Sequence, residues 1–344
     1  MRQFRIADCG LRIGSTATSI VALAFSLLVS PLSASAGQPP RVPRIGILCS
    51  LRCGQPPLEL FPEGKAFQEG LAERGYVDGQ NIAIDFRAAG GAGELSGLVA
   101  KLVSVKVDVI LAIGDPAAAL AAAKATKTIP IVAVGGMDLV QLGLVTSLAR
   151  PGGNITGVTV PFAELVAKQM ELLKEAVAGI SRIAVLRNPG NTLHRHAVTE
   201  LDAAAKSLGV QVQLLEARSP SDFESAIAGA TKGRAGALLV LWDPLYGFTQ
   251  GRLTMLALQQ RLPSISEDRQ FVKAAGFISF GPNVAEMYRR AAYYVDRILR
   301  GARPADLPAE QPTQFHLAIN LTTANALGLK IPQSVLVRAD EVIQ

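Results

Sequence analysis

The sequence contains the same order of features in two halves. Residues 107–116 and residues 235–244 are each an apolar run that ends in Asp-Pro and leads into a helical pattern. In both halves, further β-branched runs alternate with helical patterns, which is typical of parallel sheets covered by helices on both faces. A chain of 344 residues is long enough for two domains. The sequence therefore predicts an α/β fold with two similar lobes, each built on a parallel sheet.

The stretch that joins the two halves is residues 148–158. Its Pro-Gly-Gly-Asn segment breaks a helix and supplies positions that tolerate positive φ, and the following Ile-Thr-Gly-Val reads as a short extended crossover. Two lobes joined by a short crossover can close on a ligand. The alternative interpretation of this stretch is an ordinary loop inside one large α/β domain.

Residues 1–36 have the pattern of an export signal. Three arginines in the first twelve residues precede an apolar run at residues 20–29, and Ala34-Ser35-Ala36 forms a small-residue cleavage site. This order predicts cleavage before Gly37 and export of the mature chain. A membrane anchor is the alternative, but the apolar run is short for a membrane span.

Charge and motifs argue against several classes of function. The formal net charge is +6, and without residues 1–36, which hold three Arg and one Asp, 31 basic and 27 acidic residues remain. The basic residues are scattered rather than clustered, so nucleic-acid binding is not predicted. The glycines at residues 90–93 lack the spacing of a dinucleotide fingerprint, and no P-loop, Gly-x-Ser-x-Gly or His-Glu-x-x-His motif occurs. We expect no cofactor and no nameable catalytic nucleophile.

Cys49 and Cys53 follow the first predicted strand, with three residues between them. An oxidising compartment permits a small-loop disulfide between them. Two cysteines without a nearby histidine are too few for a structural zinc site, so no metal is predicted. His194 and His196 point to opposite sides of a helix start, which favours solvated surface over a shared metal, and His316 is expected to pack.

A ligand of a parallel α/β sheet binds beyond the carboxyl ends of the strands. Helix starts at this edge offer free N–H groups that favour a carboxylate or another anion. The predicted ligand-binding residues at these strand ends are Ser50, Gly114, Asp115, Gly135, Met137, Asn188, Trp242, Asp243 and Glu267.

Three of these residues have a second interpretation. Asp115 and Asp243 are candidates to hold an ammonium group, but an Asp before a Pro is also a good helix N-cap. Trp242, the single tryptophan of the chain, is a candidate to stack on a flat ligand or a cation, although an aromatic side chain at a strand end is often core.

Four segments carry a resemblance to a known family: residues 67–76, residues 143–157 with Ala-Arg-Pro-Gly-Gly-Asn, residues 288–301 with Pro304 and Pro308, and residues 319–329. On these segments the sequence resembles the periplasmic substrate-binding proteins of ABC transporters of the tryptophan/tyrosine type. It departs from the commoner pattern of that family at Cys49–Cys53 and at Trp242.

The resemblance implies two Rossmann-like lobes in a type I periplasmic-binding-protein architecture with hinge crossovers, and no catalysis. It implies a first lobe of residues 37–157 plus 277–311 and a second lobe of residues 158–276 plus 312–344. It also implies a monomer in the periplasm that captures a small molecule, such as an amino acid or an aromatic compound, and delivers it to an ABC permease.

Two other classes of protein stay open from the sequence. A secreted α/β enzyme would turn a candidate ligand over. A ligand-sensing domain of the same fold would have a receptor rather than a permease as its partner, and a DNA-binding regulator would need a helix pair ahead of residue 44, where the export signal stands.

Overall fold

The computed structural model describes residues 41–49, 62–90, 92–114, 116–243, 246 and 249–344. The predicted signal peptide at residues 1–36, together with Ser50, Cys53 and Asp115, lies outside these described residues. Within the described ranges the chain forms two β-sheets. No helix in this part of the chain is long and apolar enough to cross a membrane.

The first sheet has five strands among the described residues, in the order β2-β1-β3-β4-β5, and all of them pair in parallel. The strands are β1 Arg44–Cys49, β2 Ala83–Ala88, β3 Val109–Gly114, β4 Ile131–Gly136 and β5 Ile155–Val160. Alternate residues of β1 point to opposite faces. Ile47 accordingly packs in one core cluster and Leu48 in another, so the sheet has a core on each side.

Four helices of the described residues cover this sheet: α1 Pro62–Ala72, α2 Leu95–Ser104, α3 Pro116–Ala125 and α9 Val284–Leu299. Helices α1 and α9 lie on the same face and pack closely. A Cβ at Gly70 would lie 2.9 Å from the Cβ of Ala292, so glycine at this position permits the close approach. We call the five-stranded sheet with these helices the first lobe.

The second sheet has seven strands among the described residues, in the order β12-β11-β10-β9-β8-β6-β7. These strands are β6 Arg182–Arg187, β7 Gln211–Glu216, β8 Ala237–Val240, β9 Ser264–Ser266, β10 Ile278–Pro282, β11 Phe315–Asn320 and β12 Glu341–Ile343. All pairs are parallel except β10 with β11. The α/β fold with two mostly parallel sheets confirms the prediction of fold class.

The second sheet also carries helices and a core on each face. Its helices are α4 Phe162–Ala176, α5 Thr192–Leu208, α6 Phe223–Lys232, α7 Gln250–Gln259, α8 Arg269–Lys273, α10 Leu321–Leu327 and α11 Gln333–Leu336. Helix α5 ends at Gly209, whose φ of 63° is left-handed, as expected for a glycine C-cap. We call the seven-stranded sheet with these helices the second lobe.

The described chain passes between the two sheets at three places. The first is between β5 and α4, the second between β10 and α9, and the third is the segment at residues 307–315. In the third, Glu310 N–H donates to the Gly157 carbonyl at 2.8 Å, and Thr159 N–H donates to the Glu310 carbonyl at 2.9 Å. This segment therefore runs alongside β5 before it enters β11.

Sheet membership differs from the predicted lobe boundaries in two segments. Residues 155–158, expected to be a short extended crossover, belong to strand β5 of the first sheet, and the chain crosses just after this strand. Residues 278–282 pair with β9 and β11 in the second sheet, whereas the prediction returned the chain to the first lobe at Phe277. In both cases a run of β-branched or aromatic residues pairs with the sheet of the preceding strands, and the chain crosses to the other lobe only afterwards.

Candidate ligand-binding site at the strand ends

The strand ends of the first lobe meet at two glycines. Gly114 of β3 lies opposite Gly135 of β4 in the parallel register. Gly135 has a φ of +139°, and a Cβ there would lie 2.0 Å from the Gly114 carbonyl oxygen. Only glycine fits such a backbone, so the edge where a ligand was predicted is formed by closely apposed main chain.

The next residue brings the first lobe against the second. A Cβ at Gly136 would lie 3.0 Å from Cδ2 of Leu193, in the first turn of α5, and 3.6 Å from Cδ2 of Phe162. Met137 was predicted to bind the ligand, but its side chain is 1% exposed and packs in the core of the first lobe. This side chain therefore packs among the apolar residues of the first lobe.

The second lobe places Asn188 and Asp243 together, because they follow β6 and β8, which are neighbours in the sheet. Asp243 is 1% exposed, and its carboxylate accepts from Nδ2 of Asn188 at 3.2 Å and from Nδ2 of Asn191 at 2.9 Å. Asn191 also caps α5, since its Oδ1 accepts from Leu193 N–H at 2.9 Å. Asp243 thus joins the Asn188 turn (residues 188–191, after β6) to the Trp242 turn (residues 241–243, after β8).

His194 is the functional candidate that sequence reasoning missed. It was predicted to be solvated, but it is 0% exposed. Nδ1 lies 3.0 Å from the Asn188 backbone N, and Nε2 lies 2.8 Å from the Trp242 carbonyl oxygen. Because a backbone N–H only donates, Nδ1 is the acceptor and Nε2 carries the proton. The side chain of His196 is not among those that the structure describes.

The environment of His194 favours the neutral ring. Burial lowers its pKa, and the charge of Arg187 acts in the same direction. The bond to the Trp242 carbonyl and the carboxylate of Asp243 oppose this shift without cancelling it. The ring also stacks on Phe162, with centroids 6.0 Å apart and planes 15° apart.

The aromatic residues near Asp243 divide into core and partly accessible ones. Tyr246 is 2% exposed, and its hydroxyl donates to the Ala217 carbonyl at 2.9 Å. Trp242 is half-buried, and its backbone carbonyl accepts the hydrogen bond from Nε2–H of His194. The indole of Trp242 therefore stays a candidate for stacking on a ligand.

A second group of polar residues lies where β9 ends. Glu267 is half-buried, and burial, followed by the charge of Asp268, raises its pKa to about 8. Burial raises the pKa of Glu63, in the first turn of α1. A hydrogen bond to its own backbone lowers this pKa, and the charge of Asp268 raises it. Tyr288 on α9 is 8% exposed, and the charge of Glu63 adds to the effect of burial in raising its pKa. Glu63 of the first lobe and Asp268 of the second lobe are thus within electrostatic range of each other.

Cys49 ends strand β1 with 0% exposure and is disulfide-bonded. Its predicted partner Cys53 lies outside the described residues, so that pairing stays a prediction. Among the side chains that the structure describes, no group of three His, Cys, Asp or Glu residues is arranged to hold a metal ion.

Two parallel-sheet lobes with three crossings and a polar junction at their strand ends define a type I ligand-binding architecture. A family model for ABC transporter substrate binding proteins matches residues 59–343. The chain belongs to this family, and the resemblance seen in the sequence is confirmed. It is therefore a substrate-binding protein that captures a small molecule for an ABC transporter.

Relatives with known ligands show the same relationship. A tyrosine-binding protein of Clostridioides difficile (strain R20291) is 29% identical over 267 residues, which are 77% of this chain and 76% of that protein. An ABC domain from Streptococcus pneumoniae in complex with L-Trp has a TM-score of 0.75 and 27% identity, covering 88% of this chain and 99% of that one.

A ligand-free, open structure of a substrate-binding protein with adhesive properties from Clostridium difficile has a TM-score of 0.63 and 25% identity, covering 88% of this chain and 99% of that one. The family and these similar proteins are binding proteins.

Proposed function

We propose that this protein captures an amino acid between its two lobes, at the junction of the Gly135–Gly136 strand end and the Asn188 and Trp242 turns. The contact of Gly136 with Leu193 carries this proposal, because it puts the ligand-binding edges of the two sheets against each other. In parallel sheets this edge is where ligands bind.

The arrangement of the lobes supports capture by closure. The chain aligns with the L-Trp complex at a TM-score of 0.75 but with the ligand-free, open structure at 0.63, at similar identities and the same coverage. We infer from the higher score with the complex that the lobes lie nearer to the ligand-bound arrangement. A ligand that contacts both lobes only in this arrangement would shift the population toward it.

The polar groups at the junction match the two charged ends of an amino acid. Glu63 of the first lobe lies within electrostatic range of Asp268, the residue after Glu267 in the second lobe, and burial raises the pKa of both glutamates, so an ammonium group bound there would draw them into their charged form. The start of the 17-residue helix α5, next to Gly136, favours a carboxylate because its N–H groups and dipole point toward an anion. Asp243 contributes mainly by fixing the Asn188 turn.

Trp242 is the residue that we propose for the side chain of the ligand. Its indole is half-buried at the end of β8, beside the Asp243 network. The relatives bind tyrosine and tryptophan, whose rings stack on an aromatic side chain. We therefore infer an aromatic amino acid as the first ligand to test.

Titration calorimetry of the mature chain with L-tyrosine, L-tryptophan and L-leucine tests this proposal. We expect saturable binding of an aromatic amino acid, with a single site between the lobes. Trp242→Ala should weaken binding by about 1–3 kcal/mol because a central stacking contact is lost, and Trp242→Phe should retain most of it. Tyr246→Phe is the matched control, since the Tyr246 hydroxyl donates to the Ala217 carbonyl within the core of the second lobe. Absence of binding by all three, or recovery of a chemically altered ligand, would contradict the proposal.

We also propose that the mature protein is a periplasmic monomer that begins at Gly37. The export pattern of residues 1–36 and the partnership with a permease that the family implies support this. Cell fractionation with N-terminal mass analysis should find the species starting at Gly37 in the periplasm. A membrane-bound species that keeps residues 20–29 would contradict it, and light scattering reports the oligomeric state.

A further inference from the structure

We infer that neutral His194 is a positioning residue that holds the Asn188 turn and the Trp242 turn in the arrangement that receives the ligand, and that protonation of its ring releases this arrangement. The effect of His194 on ligand affinity rests on the proposed function. The effect of His194 on the two turns concerns the ligand-free protein and can be tested without any ligand.

The ring of His194 bridges two neighbouring strand ends. Nδ1 accepts from Asn188 N–H at 3.0 Å and Nε2–H donates to the Trp242 carbonyl at 2.8 Å. Strands β6 and β8 are adjacent in the sheet, but their ladder ends at Leu186 and Val240. Beyond this point the ring of His194 connects the segments that follow the two strands.

Asn188 has little freedom once these bonds are made. Its Oδ1 accepts from Gly190 N–H at 2.9 Å, its Nδ2 donates to Asp243 at 3.2 Å and its carbonyl accepts from Asn191 N–H at 3.0 Å. With the backbone N–H bonded to His194, each polar atom of Asn188 has a hydrogen-bond partner. The position of the Asn188 turn therefore depends on the His194 ring and on Asp243 together.

Protonation cannot be accommodated in this geometry. An imidazolium has two donors and no acceptor, so Nδ1–H would point at the N–H of Asn188. Among the described side chains, the charged groups that act on the ring are Arg187, which disfavours a second positive charge, and Asp243, which favours it. Arg187 is itself bonded to Glu216 at 2.6 Å, and Tyr246 lies within electrostatic range of Asp243. Phe162, the residue of α4 that stacks on the ring, carries no charge.

The same helix start touches the first lobe. Leu193 precedes His194 and lies against Gly136. A shift of the first turn of α5 would therefore move the surface on which the first lobe rests. His194 links the internal geometry of the second lobe to the contact between the lobes.

The first arm of the test uses the ligand-free protein. Long-range ¹⁵N correlation spectra of the imidazoles should show His194 as the neutral Nε2–H tautomer at neutral pH, and the ring should stay neutral when exposed histidines have become protonated. Hydrogen exchange at one fixed pH should be faster at Asn188 N–H in His194→Leu than in wild type. His194→Asn should restore part of the protection, because Asn Oδ1 can replace the Nδ1 acceptor.

The second arm measures L-tyrosine affinity. Loss of both bonds in His194→Leu should raise the Kd roughly tenfold, and His194→Asn should recover part of this loss. The wild-type Kd should rise when the pH falls below the pKa of the ring, and His194→Asn should remove that rise. His316→Asn is the control and should keep the wild-type pH profile, because His316 lies on β11, away from both turns.

The outcomes separate the two proposals. An Nδ1–H tautomer, or unchanged exchange at Asn188 in His194→Leu, would overturn the positioning role, as would an unchanged Kd and pH profile in a folded variant. If wild type binds none of the tested amino acids, the proposed function fails for that class, while the spectra and the exchange rates still decide the role of His194. If His194→Leu does not fold, the wild-type spectra and His194→Asn decide it.

Discussion

Replacing Gly136 by valine should weaken ligand binding while leaving the fold stable. A Cβ at this position would lie 3.0 Å from Cδ2 of Leu193 and 3.6 Å from Cδ2 of Phe162. Optimal carbon contacts are about 3.5–4.0 Å, and the γ-methyl groups of valine add to the overlap, so we expect a cost of about 1–3 kcal/mol. The cost applies only when the lobes touch, and it corresponds to about 5- to 150-fold weaker apparent affinity.

Gly135 offers a matched control one residue away. A Cβ there would lie 2.0 Å from the Gly114 carbonyl within the first lobe, and the φ of +139° excludes an unstrained side chain. Gly135→Val should therefore lower the melting temperature with or without ligand. Gly136→Val should keep the wild-type melting temperature of the ligand-free protein, because its lobes can separate.

Calorimetric titration with the bound amino acid, together with thermal melts, measures both effects. Leu193→Ala should restore affinity in the Gly136→Val background, since it removes the overlapping methyl groups, and a double-mutant cycle isolates this coupling. The reasoning is refuted if Gly136→Val binds like wild type, or if it melts as early as Gly135→Val.

Three further predictions concern the second lobe. Asp243→Ala should lower the free energy of unfolding by about 3 kcal/mol, because the amides of Asn188 and Asn191 lose a charged acceptor. Urea titration measures this change, and a loss no larger than that of an ordinary surface variant would contradict the prediction. Burial lowers the pKa of His194, so the unfolded chain alone takes up this proton and the free energy of unfolding should fall as the pH drops below about 6.5; the fall should shrink in His194→Asn. Burial raises the pKa of Glu267 to about 8 from 4.5, so the folded chain keeps this proton and stability should decline as the pH rises between these values. Glu267→Gln should remove that decline, and an unchanged melting profile would show that Glu267 is solvated.

The sheets were predictable because their signal is local and repeated. β8 is buried along its whole length and β3 at all but its last residue, which is the pattern of a parallel strand covered on both faces. The helix end at Gly209 followed from glycine chemistry alone. The boundary at β10 did not follow, because Ile278–Pro282 is short and its partner β11 comes more than thirty residues later in the chain.

The site was predictable only in outline. The rule for strand ends brought Asn188 and Asp243 together, but it carries no information about which donors a buried carboxylate accepts. His194 had a usable signal, since it shares one helix face with the buried residues Ala197 and Leu201, three and seven positions later. Its bonds to Asn188 and the Trp242 carbonyl depend on two loops from different strands, and no local pattern encodes that meeting.

The most direct measurement of capture between the lobes is a crystal structure of the mature protein grown with L-tyrosine. The account predicts electron density for the amino acid between the Gly135–Gly136 strand end and the Trp242 turn, with its ring against the indole of Trp242 and its ammonium group on the side of Glu267. Density for the ligand on the outer face of one lobe, or an empty junction at saturating ligand with the lobes still in contact at Gly136 and Leu193, would contradict it.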